Sequence, residues 1–203
     1  RLGHDEVIYG AGKSAEQILQ ICQALEQKDS NILITRCDAA TFEVIHACFP
    51  QALFVEEAGC IMLHKKEPDI LGSIGLLSAG TSDQRVALEA KCCSEFFGAK
   101  VTTVFDAGVA GLERLLAELP NLESMDVLIV VAGMEGALPS VVGGLVPCPI
   151  IAVPTSVGYG SNLGGITTLF AMLSSCAAGV TVVNIDNGFG AAMAAHRILR
   201  GKY

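Results

Sequence analysis

A carboxylate and a thiol stand out in this chain as groups that could do covalent or proton-transfer work. Glu135 lies in Gly133-Met134-Glu135-Gly136-Ala137-Leu138-Pro139 and is the one charged residue between Val127 and Val146. A carboxylate held between glycines at a strand end is well placed to move a proton, though a solvated loop glutamate has the same local sequence. Cys176 follows Ser174-Ser175 and precedes Gly179. No histidine accompanies it: His4, His46, His64 and His196 are scattered, and His196 falls mid-helix. Without a base motif, the residues alone read Cys176 as a buried structural cysteine. No cluster has metal-ligand spacing, but magnesium held mostly by substrate phosphates would leave no such signature.

Three further segments could cradle a ligand. In Gly80-Thr81-Ser82-Asp83 small residues let the backbone approach a ligand, or Ser82 or Asp83 simply caps the next helix. No Walker lysine follows, and GxGxxG is absent. Pro154-Thr155-Ser156-Val157-Gly158-Tyr159-Gly160 offers hydroxyls and an aromatic ring for a phosphate or a base, or is a plain connection. Asp106-Ala107-Gly108 and Asp186-Asn187-Gly188 are shorter turns of the same kind.

The elements that must position these loops follow from periodicity. From about residue 70, apolar runs at Ser73–Leu77, Lys100–Phe105, Asp126–Val131, Pro149–Val153 and Val180–Asn184 alternate with helical patterns. Those helices end near Phe97, Leu119, Cys176 and Arg200, with a short one after Gly136. Five β-loop-α units with continuously apolar, Val- and Ile-rich strands predict a parallel sheet covered on both faces, a three-layer α/β sandwich. Ligands in such sheets sit at the carboxyl ends of the strands, where every glycine-rich segment falls. Residues 1–70 read as a small α/β domain and residues 71–203 as the catalytic one. The first has strands at Glu6–Tyr9, Asn31–Thr35, Ala52–Val55 and Ile61–Leu63. Its helices are one capped by Ser14, with Gln17 at the capping-box position, and one over Phe42–Cys48.

Composition narrows the partners. The net charge is −8 and no basic run occurs, which argues against nucleic acid. Eight cysteines show no CxxC pair, a pattern that suits reduced, buried thiols and a cytoplasmic location. No apolar run reaches the length of a membrane span, and no signal-peptide pattern opens the sequence as given. With 51% apolar and only 17% charged residues, surplus apolar surface predicts a homo-oligomer.

The strings GTSDQRVALEA, DAGVAGLERL, VVAGMEGALPSVVGGL, AVPTSVGYGSNLGG, MLSSCAAGV and NIDNGFGAAMAAHRI resemble, in order and spacing, the LarB family. EVIYGAGKSAEQI and ILITR resemble that family's first domain, so the likeness spans essentially the whole chain. These are carboxylase/hydrolases that begin synthesis of the nickel-pincer nucleotide cofactor. The C-terminal domain is in turn similar to the aminoimidazole ribonucleotide carboxylase/mutase (PurE) family, with its flavodoxin-like sheet. That family's Ser-Ala-His-Arg string falls where this chain has Asp106-Ala107-Gly108-Val109, so its histidine is missing.

The resemblance implies carboxylation of nicotinic acid adenine dinucleotide by carbon dioxide, hydrolysis of its phosphoanhydride to release AMP, and a magnesium ion. It implies Cys176 as nucleophile and Glu135 as base, reversing the residue-only reading of the thiol. Substrate would be bound by Gly80, Thr81, Ser82, Asp83, Asp106, Gly108, Val109, Ala110, Gly133, Met134, Gly136, Thr155, Ser156, Gly158, Tyr159 and Asn187. Lys13 and Arg36 are candidate contacts from the first domain. The likeness to octameric PurE assemblies implies an octamer. A purine carboxylase/mutase and a non-catalytic nucleotide-binding module are the alternatives.

Overall fold

The computed structural model describes residues 6–28 and 30–201. The chain forms two compact units, one up to Asp69 and one from Ile70 onward.

The first unit has β1 (Glu6–Tyr9), α1 (Ala15–Glu26), β2 (Ile32–Thr35), α2 (Ala39–Cys48), β3 (Leu53–Val55) and β4 (Cys60–Leu63). Its sheet order is β1-β2-β4-β3, with β1 parallel to β2 and the other pairs antiparallel. The Ser14 hydroxyl accepts from the Gln17 N–H (3.3 Å), and the Gln17 side-chain oxygen accepts from the Ser14 N–H (2.9 Å). This reciprocal pair starts α1, which buries Ile18, Cys22 and Leu25. Helix α2 begins three residues before the expected Phe42, because the Asp38 carboxylate accepts from the Thr41 N–H at 2.8 Å and caps it.

The second unit holds β5 (Gly72–Ser78), α3 (Gln84–Phe96), β6 (Ala99–Val104), α4 (Leu112–Leu122), β7 (Val127–Ala132), α5 (Leu138–Gly143), β8 (Ile150–Pro154), α6 (Ile166–Leu173), β9 (Val180–Val182) and α7 (Gly188–Arg200). All five strands are parallel, in the order β6-β5-β7-β8-β9. Central strands β7 and β8 are buried along their whole length, as layers on both faces require. Ile74, Leu76, Val127, Ile129 and Val131 pack on one face with Ala87 and Ala90 of α3 and Ala191 and Ala195 of α7. Leu77, Leu128 and Val130 pack on the other with Leu115 of α4, Val142 of α5 and Met172 of α6. This is the expected three-layer sandwich.

In this unit α4 and α6 differ from the periodicity reading. Helix α4 continues past Leu119 through Pro120 to Leu122. Pro120 withdraws one backbone N–H from the last turn, and Leu122 beyond it is fully buried in the core. Helix α6 stops at Leu173 rather than running through Cys176. Its final turn is tightened by the Ser174 N–H, which donates to both Phe170 and Ala171 carbonyls. Among the described residues, no helix is long and apolar enough to cross a membrane.

Gly75 sits where β5 presses closest to its neighbours. A Cβ there would lie 2.4 Å from Leu128 Cδ2, 3.1 Å from Leu122 Cδ2 and 3.2 Å from Met125 Cγ. Gly75→Val should therefore lower unfolding stability by about 1–3 kcal/mol through overpacking. Chemical denaturation read by circular dichroism would show a lower midpoint, and an unchanged midpoint would mean that this layer has slack.

Candidate functional site

In the order β6-β5-β7-β8-β9 the direction of winding reverses between β5 and β7. At such a switch point the loops leave in opposite directions and open a crevice beyond the strands' carboxyl ends. The loop after β5 carries Gly80–Asp83, and the loop after β7 carries Gly133–Gly136. Sequence alternation and sheet topology therefore point to the same place.

Asp83 holds this rim together. It occupies the N-cap position of α3, yet its side chain makes no capping bond to that helix. One carboxylate oxygen instead accepts from the Gly80 N–H at 3.0 Å, and the other from the Thr155 hydroxyl at 2.7 Å. The Gly133 N–H also donates to it. One side chain thus ties its own loop to those after β7 and β8. Asp83 is only 3% exposed, and burial pushes its pKa up. Hydrogen bonds from Thr155, Gly80 and Gly133 pull it back, and the nearby Asp186 charge adds a further upward push.

A second network orders the loop after β8. The Asn162 side-chain oxygen accepts from the Gly165 N–H (2.6 Å), and its amide donates to the Met134 carbonyl (3.1 Å) and the Thr168 hydroxyl (2.9 Å). The Thr168 hydroxyl donates to the same Met134 carbonyl. Met134 itself donates its N–H to the Val157 carbonyl at 2.8 Å. Gly133 must be glycine here, since a Cβ would lie 2.6 Å from both the Thr155 hydroxyl and the Val157 carbonyl. Among the described residues, five non-glycine residues have positive φ, and four of them are Asp106, Met134, Leu163 and Asp186, one in each loop after β6, β7, β8 and β9. Such backbone costs about 1–3 kcal/mol per residue and clusters where a loop must present groups in a set geometry.

The exposed groups on this scaffold are Thr81, Ser82, Met134, Glu135, Ser156, Gly158 and Tyr159. Tyr159, 81% exposed, is free to stack on a ring. Thr155 is fully buried and its hydroxyl is committed to Asp83, so it serves the frame rather than a ligand. Asn187 likewise caps α7, accepting from the Gly190 N–H at 2.8 Å. Asp106 pairs with Arg114, and Gly108, Val109 and Ala110 follow it in a turn set against the first loop through the Ala107 N–H to Ser78 carbonyl bond (3.0 Å). Lys13 and Arg36 belong to the first unit, where their cations lie 5.8 and 5.9 Å from the Tyr9 ring centroid.

The structure corrects the residue-only reading of Cys176. The thiol is exposed, as is that of Cys48, whereas Cys22, Cys37, Cys60, Cys92 and Cys93 are buried and Cys148 is half-buried; all are free thiols. It lies past the end of α6 and before β9, beside Ser175, whose hydroxyl meets that of Ser140 at 2.8 Å. The sequence reading passed over Asn162 and Thr168, and it named Asp186 only as part of a turn; its carboxylate accepts from the Ser156 N–H at 2.8 Å. A lone Asn or Thr in a glycine-rich run carries no local signal of its long-range bonds. Among the described residues, no three His, Cys, Asp or Glu side chains group as a metal site. Both Asp83 oxygens are taken by Gly80 and Thr155, which leaves the half-buried Asp186 as the carboxylate at the rim, and a magnesium ion there would be held mostly by ligand phosphates.

The chain matches the LarB/PurE-like N-terminal domain over residues 1–66 and the AIR carboxylase domain over residues 73–203. It is 39% identical to an uncharacterised protein of Methanocaldococcus jannaschii over 209 residues, covering 98% of this chain and 80% of that one. It is 32% identical to an N5-carboxyaminoimidazole ribonucleotide mutase of the same organism over 130 residues, covering 62% of this chain and 78% of the mutase. The structure is similar to that of Treponema denticola PurE, with a TM-score of 0.55 and 21% identity over 64% of this chain and 82% of that one. A likeness at that identity speaks for the fold.

The raised Asp83 pKa has a signed consequence. The folded protein keeps this proton at pH values where the unfolded chain, near 3.8, has released it. The stabilisation is thus present at low pH and is lost as pH rises through the folded pKa. Asp83→Asn removes this titration. It also places an amide N–H₂ against backbone N–H donors, at a cost of about 1–3 kcal/mol. Denaturant titrations across pH should show the wild-type advantage over Asp83→Asn shrinking as pH rises above about 4. A constant or growing advantage would contradict the buried-carboxyl assignment.

Proposed function

The chain belongs to the LarB family, with a PurE-like carboxylase domain, and from that premise we propose that it converts nicotinic acid adenine dinucleotide, carbon dioxide and water to pyridinium-3,5-biscarboxylic acid mononucleotide and AMP. The observation that carries this reading is the exposure of Cys176. Five of the seven other cysteines are buried, as structural thiols usually are, with Cys48 exposed and Cys148 half-buried, whereas a nucleophile must be reached.

The chemistry needs one thiolate and one base. A pyridinium ring is electron-poor and does not attack carbon dioxide. Addition of the Cys176 thiolate at ring C4 forms a C–S bond and moves a ring electron pair onto nitrogen. The resulting enamine is nucleophilic at C5, which forms the new C–C bond to carbon dioxide. Glu135 then takes the C5 proton, the C4–S bond breaks with its pair returning to sulfur, and aromaticity is restored. Water cleaves the phosphoanhydride and AMP leaves. Glu135 suits the base role because it is exposed between Gly133 and Gly136 at the switch point. Gly80–Asp83 and the N-terminus of α3 suit the phosphates, and the Tyr159 ring suits a base or pyridinium face. A bound magnesium ion would supply charge neutralisation on the phosphates, with the half-buried Asp186 as the carboxylate that could reach it.

A purine carboxylase/mutase is the second reading, favoured by the 32% identity to the mutase. Against it, the loop after β6 has Asp106, bound to Arg114, and Gly108 where the related string has serine and a histidine.

Incubation with nicotinic acid adenine dinucleotide, bicarbonate and magnesium should give AMP and a product carrying one additional carboxylate by mass spectrometry. Cys176→Ala should abolish carboxylation, and Glu135→Ala should slow it about 10²–10⁴-fold. Turnover of aminoimidazole ribonucleotide that survives Cys176→Ala would replace this reading with the second one.

A further inference from the structure

Helix α6 ends at Leu173 and β9 begins at Val180, so Cys176 stands in a connector that belongs to neither a helix nor the sheet. A nucleophile needs more order than that. Its sulfur must be held within about 3–3.5 Å of the carbon it attacks, and on the line of attack. Something other than regular secondary structure has to hold it there.

The neighbours of the thiol supply the hold. Burial alternates along the connector: Ser175 and Ala177 are half-buried, and Cys176 between them is exposed. The Ser175 hydroxyl accepts from the Ala177 N–H at 3.2 Å, which closes a turn around Cys176. The same hydroxyl meets that of Ser140, on α5, at 2.8 Å. A hydroxyl has one donor and two acceptor sites, so both bonds coexist whichever serine donates. Ser140 is itself well anchored, because α5 buries Leu138, Pro139 and Val142 in the core. On the other side of the thiol, a Cβ on Gly143 would lie 2.9 Å from that of Ala177, so glycine lets the connector lie close against α5. Both flanks of Cys176 are therefore set on one short helix. Two alanines would fill the same space with no hydroxyl to satisfy. What the serine pair adds is direction.

We infer that Ser140 and Ser175 are positioning residues for Cys176: their paired hydroxyls lock the connector so that the thiol is presented in one orientation. This rests on the proposed reading of Cys176 as the nucleophile.

Kinetics of the full chain with nicotinic acid adenine dinucleotide, bicarbonate and magnesium give the first test. Ser140→Ala and Ser175→Ala should each lower kcat about 10–100-fold, with KM changed by no more than about twofold. The double variant should lose no more than Ser175→Ala alone, since either deletion breaks the same link. Its unfolding midpoint should stay near the wild-type value, because both partners are removed together. Ser175→Thr keeps the hydroxyl and should keep most of the activity. Unchanged kcat in the single variants, additive losses in the double one, or a threonine variant as slow as the alanine one would overturn the inference.

The second test needs no substrate. In a Cys48→Ala, Cys148→Ala background, Cys176 is left as the thiol that is not buried and takes a nitroxide label. The label should give a slow, ordered spectrum with serine or threonine at position 175 and a markedly faster one with alanine. Equal mobility for serine and alanine would sink the idea. Turnover that survives Cys176→Ala would instead remove the nucleophile reading, and the spectra would still decide whether the serine pair orders the thiol.

Discussion

The buried carboxylate of Asp83 is the contact on which the rim of the second unit depends. Taking a carboxylate out of water is unfavourable unless donors replace the water, and here Gly80, Gly133 and Thr155 supply them from three separate loops. Adjacent parallel strands are about 4.8 Å apart, so the ends of β5, β7 and β8 are near enough for one short side chain to reach all three loops. The desolvation that raises its pKa also makes each of these bonds stronger than it would be in water. Asp186, fixed by the Ser156 N–H, extends the frame to the loop after β9. The groups left exposed on top, Glu135 and Tyr159 among them, stand on loops that cannot easily move independently.

That frame also accounts for the backbone strain. Each of the four later strand-end loops has one non-glycine residue in the left-handed region. A strand that must turn at once into a ligand-facing loop reverses with few residues, and side chains occupy conformations that glycine would hold more cheaply. Met134 shows why they stay: its N–H is bonded to Val157 and its carbonyl receives both Asn162 and Thr168. The hydrogen bonds of a single residue hold the backbone next to Glu135.

The fold is shared with PurE structures, but the chemistry lies in a few loop positions. In this chain the loop after β6 presents an Asp106–Arg114 ion pair in place of a histidine, while a carboxylate appears after β7 and an exposed thiol after α6. The supporting sheet can stay constant because its strands are buried and its loops are not. Exchanging loop residues changes which reaction the rim can support without repacking Leu128, Val130 or Ile151.

The sequence by itself determined the five β-loop-α units and the position of the glycine-rich loops, because strand burial and helix amphipathicity leave local periodic patterns. It also marked Glu135, since one charge in twenty apolar and small residues stands out. It did not determine the role of Asp83, which looked like a helix cap but bonds to a threonine 72 residues away. Nor did it determine Asn162 and Thr168 as supports, or that Cys176 is exposed beyond a helix that ends early. Those outcomes are settled by strand pairing and by what each buried polar group meets across the sheet. Pairing between distant segments leaves no trace in local composition, so only the tertiary structure decided them.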